Sequence, residues 1–97
     1  MRCQIARVSE VMPKFPLGQI VITAKAEAGL PELDVALALQ RHQSGDWGDV
    51  HDRQSNDMAL QNGRRLLSVY HATNGLSFLI ITEWDYSVTT VLLPEDY

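Results

Sequence analysis

The pair Asn74-Gly75, set between two apolar, β-branched runs, constrains this chain more than any other feature. A two-residue type I′ hairpin loop needs positive φ at both central positions, and Asn-Gly accepts this best, so strands are expected over 66–73 and 76–83. The register that follows sets Thr73 opposite Leu76, His71 opposite Phe78, Val69 opposite Ile80 and Leu67 opposite Thr82. A third run over 87–93 follows Trp84-Asp85-Tyr86. A second tight connection at Asp85-Tyr86 then sets Glu83 opposite Val88, Thr82 opposite Thr89 and Ile80 opposite Val91. Because side chains alternate along a strand, one face collects Leu67, Val69, Phe78, Ile80, Val91 and Leu93, which reads as core. The other carries Ser68, Tyr70, Leu79, Ile81, Val88, Thr90 and Leu92. That is too apolar for a face left wholly in water, so the N-terminal segment, a second copy or a partner is expected to cover part of it.

Upstream, residues 1–16 hold Ile5, Val8, Val11, Met12 and Phe15 at irregular spacing, with Pro13 and Pro16 barring a continuous helix. This stretch reads as a short strand or packed arm. Residues 19–24 are β-branched and read as a strand, and 24–30 adds a helical turn before Pro31. The best helix runs over 31–43. Pro31 opens it, Glu32 and Asp34 occupy its first turn, Arg41 and His42 its last, and Gly45 follows, an order that complements the helix dipole at both ends. A turn-rich loop, Ser44-Gly45-Asp46-Trp47-Gly48-Asp49, leads to a more polar helix over 52–62 with Gly63 as its stop. The expected fold is one α+β domain spanning 1–97. An antiparallel sheet of about four strands, in the order β-α-α-β-β-β, carries two helices on its Leu67/Val69/Phe78/Ile80 face.

Composition narrows the function classes. The chain has 97 residues, 45% of them hydrophobic, which suits one small domain. Eight Lys and Arg stand against twelve Asp and Glu, giving a formal charge of -4, so nucleic acid is not expected as an obligatory partner. The single Cys3 makes no internal disulfide, and no apolar run is long enough to span a membrane. A cytoplasmic setting is expected.

Several residues bear chemistry. His42, Asp46, Asp49, His51 and Asp52 crowd into eleven positions, but their spacing matches no standard metal site, so no metal and no cofactor are expected. His42 reads as a cation at a helix C-terminus. Trp47 has two readings, a binding anchor flanked by Asp46 and Asp49 or a plug folded under its loop. Trp84, Asp85 and Tyr86 sit at a hairpin tip, where aromatic side chains favour contact with a partner protein. His71 with Arg65 supports an enzyme alternative. The element order resembles the small ribonuclease toxins of toxin-antitoxin systems, and phosphodiester cleavage would use one residue as base and the other as a cation at the phosphorane. Such toxins are usually basic, and this chain is acidic.

A further resemblance is carried by Leu17-Gly18-Gln19-Ile20-Val21, by Arg41-His42 with the 44–49 loop, and by Asn56-Asp57 and Gly63. It continues through Leu67-Ser68-Val69-Tyr70, Ile80-Ile81-Thr82-Glu83 and the tail Ser87-Val88-Thr89-Thr90-Val91-Leu92-Leu93-Pro94-Glu95-Asp96-Tyr97. The text resembles a family of small uncharacterised proteins of bacterial plasmids and other mobile elements, over roughly 17–97. Members of that family tend to carry Arg where this chain has Tyr86, a departure that weakens any role for a basic residue at the turn. The resemblance implies a host-cell cytoplasm and a mobile-element context, and no known chemistry. Together these readings point to a non-enzymatic protein-binding module that inhibits or modulates a host defence protein, of the anti-CRISPR or anti-restriction type, or a regulatory protein. The alternatives are the toxin-like ribonuclease and a homodimeric accessory protein joined through the second sheet face.

Overall fold

The computed structural model describes residues 14–49 and 53–97, and the expected N-terminal arm lies outside the described residues up to Pro13. The elements run β1 (Gln19–Ile22), α1 (Ala24–Gly29), α2 (Glu32–Gln43), α3 (Arg53–Asn62), β2 (Leu66–His71), β3 (Ser77–Thr82) and β4 (Val88–Leu92), closed by a short 3₁₀ turn, Pro94–Asp96. Local chemistry accounts for the helix ends. Thr23 caps α1 by accepting from the Ala26 N–H at 3.3 Å, and Pro31 stops α1 and opens α2. Gly63 takes φ 66 after α3 while the Arg64 N–H donates to the Ala59 carbonyl at 2.8 Å, a Schellman ending.

The sheet has four strands in the order β1-β4-β3-β2, an α+β arrangement with the expected element order. It is mixed, not antiparallel throughout. β2, β3 and β4 form an antiparallel meander, and β1 lies parallel to β4 with Gln19 beside Val88 and Ile22 beside Val91. Hairpin rules fix the sense of strands joined by short turns. β1 reaches β4 only through all three helices and two other strands, so a long connection leaves its sense to packing.

The two hairpin registers fared differently. The second is as expected, with Thr82 opposite Thr89 and Ile80 opposite Val91. The first is shifted by one residue: Ser68 faces Ile80, Tyr70 faces Phe78 and His71 faces Ser77. Ala72 donates to the Leu76 carbonyl at 2.8 Å and accepts from the Gly75 N–H at 3.0 Å, so the loop is Thr73-Asn74-Gly75 and Gly75 alone takes positive φ, at 92°. Three-residue loops of this kind need one left-handed position where type I′ needs two. Asn74 is held otherwise, its Nδ2 donating to the Gly29 carbonyl at 2.8 Å and its Oδ1 accepting from the Leu76 N–H at 3.2 Å. That bond to α1 decides the turn.

A one-residue slip exchanges the faces of a strand. Leu66, Ser68 and Tyr70 therefore point into the core with Phe78, Ile80, Thr82, Thr89 and Val91, and Leu67 and Val69 turn to the outer face. Against the inner face pack Ala26 of α1, Leu30 just after it, and Val35, Ala38 and Leu39 of α2. A second cluster gathers Phe15, Trp47, Ala59 and Leu66, with Leu17, Leu60 and Tyr86 against it. The outer face remains apolar through Leu79, Ile81 and Leu92, and the C-terminal turn borders it, where Tyr97, Ile81 and Leu92 line a depression of about 390 Å³.

Glycine substitutions separate close approach from backbone strain. A Cβ on Gly48 would lie 2.0 Å from the Val69 carbonyl oxygen, whereas one on Gly63 meets nothing within 4 Å although both have positive φ. Gly63→Ala is expected to cost about 1 kcal/mol in urea unfolding and Gly48→Ala more than about 3 kcal/mol. Equal losses would contradict the packing of the 44–49 loop on β2.

Candidate interaction surface

The 44–49 loop closes one edge of the sheet. The Val69 N–H donates to the Trp47 carbonyl at 3.1 Å and the Asp49 N–H donates to the Val69 carbonyl at 2.8 Å. Asn56 of α3 does the same for Leu67, its amide nitrogen donating to the Leu67 carbonyl and its oxygen accepting from the Leu67 N–H at 3.2 Å. A side-chain amide thus stands in for a neighbouring strand. The outward backbone groups of Leu67 and Val69 on β2 are satisfied without another chain.

Three of the binding candidates expected from the sequence lie in this seal. Trp47 is buried, and its indole N–H donates to Asp57 Oδ1 at 2.9 Å, so it plugs the second core cluster and is no surface anchor. Asp46 accepts from Arg41 Nε at 2.8 Å, and the Arg41 guanidinium lies 4.7 Å from the centre of the Tyr70 ring. Hydrogen bonding to Asp46 raises the Arg41 pKa. Burial raises that of Tyr70 to about 12, and its hydroxyl donates to the Asp46 carbonyl at 2.5 Å. Asp49 meets His71 Nε2 at 2.6 Å. His51 and Asp52 lie outside the described residues, and among those described no three His, Cys, Asp or Glu side chains gather as a metal would require.

His42 does not serve as an exposed cation at the end of α2. It is fully buried between Phe15 and Trp47, whose rings meet it edge-on at 5.2 and 5.5 Å. Nδ1 is 2.5 Å from Ser68 Oγ, Nε2 is 2.9 Å from Thr82 Oγ1, and Thr82 Oγ1 is 2.7 Å from Thr89 Oγ1. The Thr89 hydroxyl donates to the Leu17 carbonyl at 2.7 Å. A carbonyl only accepts, so each proton in the chain has one place to go. Thr89 gives its proton to Leu17, Thr82 gives its own to Thr89, His42 donates through Nε2–H to Thr82, and Ser68 donates to the bare Nδ1. Burial lowers the His42 pKa to about 4, which keeps the ring neutral and leaves Nδ1 bare to accept from Ser68. Ser68 and His42 have the contact of a nucleophile and its base, yet neither reaches solvent.

At the second turn the tip is fixed, and its residues part company. Trp84 is 64% exposed. Asp85 is also exposed, and its Oδ1 accepts from the Ser87 N–H at 3.1 Å and the Ser87 hydroxyl at 2.6 Å, bonds that lower its pKa. Tyr86 is half-buried. It takes φ 61, and its ring stacks on Phe15 with centroids 5.7 Å apart, which anchors the turn to the second core cluster. Alternation of strands and a projecting tip found Trp84, whereas no sequence signal placed Phe15 under Tyr86.

The proposed ribonuclease pair is not brought together. Arg65 precedes β2 and pairs with Glu83 at 3.8 Å, while His71 ends β2, and six steps of extended chain set them roughly 20 Å apart. His71 instead lies between Asp49 and Ser77, with Nδ1 3.0 Å from Ser77 Oγ. The order is that of a hydrolytic triad. These side chains stand on the open outer face, and the loop N–H groups of Gly48 and Asp49 that would hold an oxyanion bond Asp46 Oδ1 and the Val69 carbonyl. No family model, curated protein or solved structure matches this chain.

The neutral His42 ring gives stability a defined pH dependence. The unfolded ring binds a proton below about 6.5 and the folded ring only below about 4, so stability falls as pH drops between those values and levels off beneath them. The full loss is roughly 3 kcal/mol. Urea unfolding from pH 7.5 to 4.5 is expected to show a slope that His42→Gln flattens, and equal slopes would contradict the neutral ring.

Proposed function

We propose that this chain is a non-enzymatic, protein-binding module of a mobile genetic element, acting in a host-cell cytoplasm to inhibit or modulate a defence protein, of the anti-CRISPR or anti-restriction type, or a regulatory protein. The observation that carries the binding role is Trp84. A large aromatic side chain 64% exposed is held on a turn whose backbone is fixed by the Asp85–Ser87 bonds and by the Tyr86–Phe15 stack. Such residues supply much of the affinity of an interface when they enter a partner's pocket, and a rigid presenting loop loses little entropy on binding. The acidic charge of -4 favours a basic partner surface of the kind nucleic-acid-handling enzymes display. The mobile-element setting rests on the resemblance of the 44–49 loop and the C-terminal tail. No membrane attachment is proposed, and no described helix is long and apolar enough to cross a membrane. The ribonuclease alternative needs His71 and Arg65 in one site, and they stand at opposite ends of β2.

Affinity capture from bacterial lysate, run in parallel on the wild type and on Trp84→Ala, tests this reading. One stoichiometric defence or regulatory protein is expected with the wild type, and its affinity is expected to fall by about thirtyfold or more with Trp84→Ala. The same substitution is expected to leave Tm within about 2 °C, because the side chain is mostly in water. Tyr86→Ala is expected to lower Tm by more than about 5 °C through loss of the Phe15 stack. Undiminished capture by Trp84→Ala, or recovery of RNA alone, would overturn the proposal.

A further inference from the structure

The two edges of the sheet are treated in opposite ways. β2 is sealed by Asn56 and by the Trp47–Asp49 bridge, and among the described residues β1 is hydrogen-bonded to β4 on one side only. The Gln19 N–H donates to the Ser87 carbonyl at 2.9 Å and the Thr23 N–H donates to the Val91 carbonyl at 3.0 Å, so the odd-numbered residues face β4. By alternation, the N–H and C=O groups of Ile20 and Ile22 point away from the sheet. Nothing in the strand blunts that edge. Its sequence, Gln-Ile-Val-Ile, holds no charge, no proline and no bulge, and Ile20 is 50% exposed and Val21 40%.

Beside this edge, on the helical side of the sheet, runs a groove of about 500 Å³. Ile22, Leu30, Val35 and Leu39 line it, and Glu27 and Glu32 stand at its rim. Both glutamates are exposed, and neither is in an ion pair among the described residues. An open strand edge next to an apolar groove is the geometry that receives an extended peptide, because main-chain bonds fix the strand and every second side chain enters the groove.

We propose that β1 is a docking edge for an extended segment of a partner protein, one with apolar residues at alternate positions and a Lys or Arg placed to meet Glu27 and Glu32. The acidic rim selects the occupant. A second copy adding β1 to β1 about a two-fold axis would bring two uncompensated pairs of glutamates together, and its own strand offers no cation in return. The site is independent of the Trp84 turn and stands or falls separately from it.

The probe is a synthetic acetylated and amidated peptide, Ser-Lys-Val-Thr-Val-Ser-Ile-Lys, with two controls. One control replaces both Lys by Glu, and the other replaces the central Thr-Val-Ser by three Pro, which removes ladder donors on both sides of the strand. Amide exchange and chemical shifts of the full-length protein are followed by NMR as each peptide is added. In the free protein the Ile20 and Ile22 amides are expected to exchange faster than that of Val21, and the Lys peptide is expected to slow both. The Pro peptide cannot supply the ladder and is expected to give no protection. The Glu peptide is expected to bind at least about fivefold more weakly, an order that Glu27→Lys combined with Glu32→Lys is expected to reverse. Absence of protection with the Lys peptide would overturn the proposal. So would Ile20 and Ile22 amides already protected in the free chain, or protected only as protein concentration rises, since these mark an edge filled within the chain or by a second copy.

Discussion

The structure depends on keeping one imidazole neutral. His42 reaches Ser68 of β2 through one ring nitrogen and Thr82 of β3 through the other, and Thr82 carries the chain of bonds on to Thr89 of β4 and the carbonyl of Leu17 ahead of β1. Each of those hydroxyls faces the core, where an unmatched one costs about 1–3 kcal/mol. The ring satisfies them in a single direction. A proton added to Nδ1 would make Ser68 turn from donor to acceptor inside the core, and among the described residues no carboxylate lies against the ring to balance the charge. The same histidine therefore fixes the helix α2 against the sheet and specifies which residues of three strands turn inward.

From that centre, the loops take positions that the helices alone would not impose. Phe15 and Trp47 close over His42, Tyr86 stacks on Phe15, and the second turn is thereby tied to the network through aromatic contacts. Trp84 is presented outward because its neighbour Tyr86 is held inward. On the far side, Trp47 carries its backbone along β2 and seals that edge, so the polar core and the closed edge are parts of one construction. Among the described residues β1 receives no such cover. The asymmetry matters for function, since a sealed edge suppresses unwanted strand pairing while an open one beside an apolar groove invites a specific partner.

Much of the fold was legible in the sequence. Element order and the helix ends followed from proline, glycine and charge placement, and the second hairpin register put Thr82 opposite Thr89 as found. For the first register the sequence offers only Asn74-Gly75, and the side-chain bond from Asn74 to Gly29 is a tertiary contact that turn preferences do not contain. With the slip, Ser68 and Tyr70 went inside. That outcome looks wrong by hydrophobicity, since Leu67 and Val69 are the more apolar pair, until His42 is seen to need the Ser68 hydroxyl and the Asp46 carbonyl to receive the Tyr70 proton. Trp47 carried both readings because a buried indole needs an acceptor, and Asp57 lies on another element. Trp84 was legible as an exposed tip, but the docking edge was not. It depends on β1 being an edge strand parallel to β4, which no local pattern encodes.

The nitrogen-15 shifts of the His42 ring test this account most directly. Followed by NMR from neutral pH downward, they are expected to show a protonated Nε2 and a bare Nδ1, with no titration until the pH nears about 4. A ring that titrates near 6.5, or one that carries its proton on Nδ1 at neutral pH, would contradict the directed network and the register built on it.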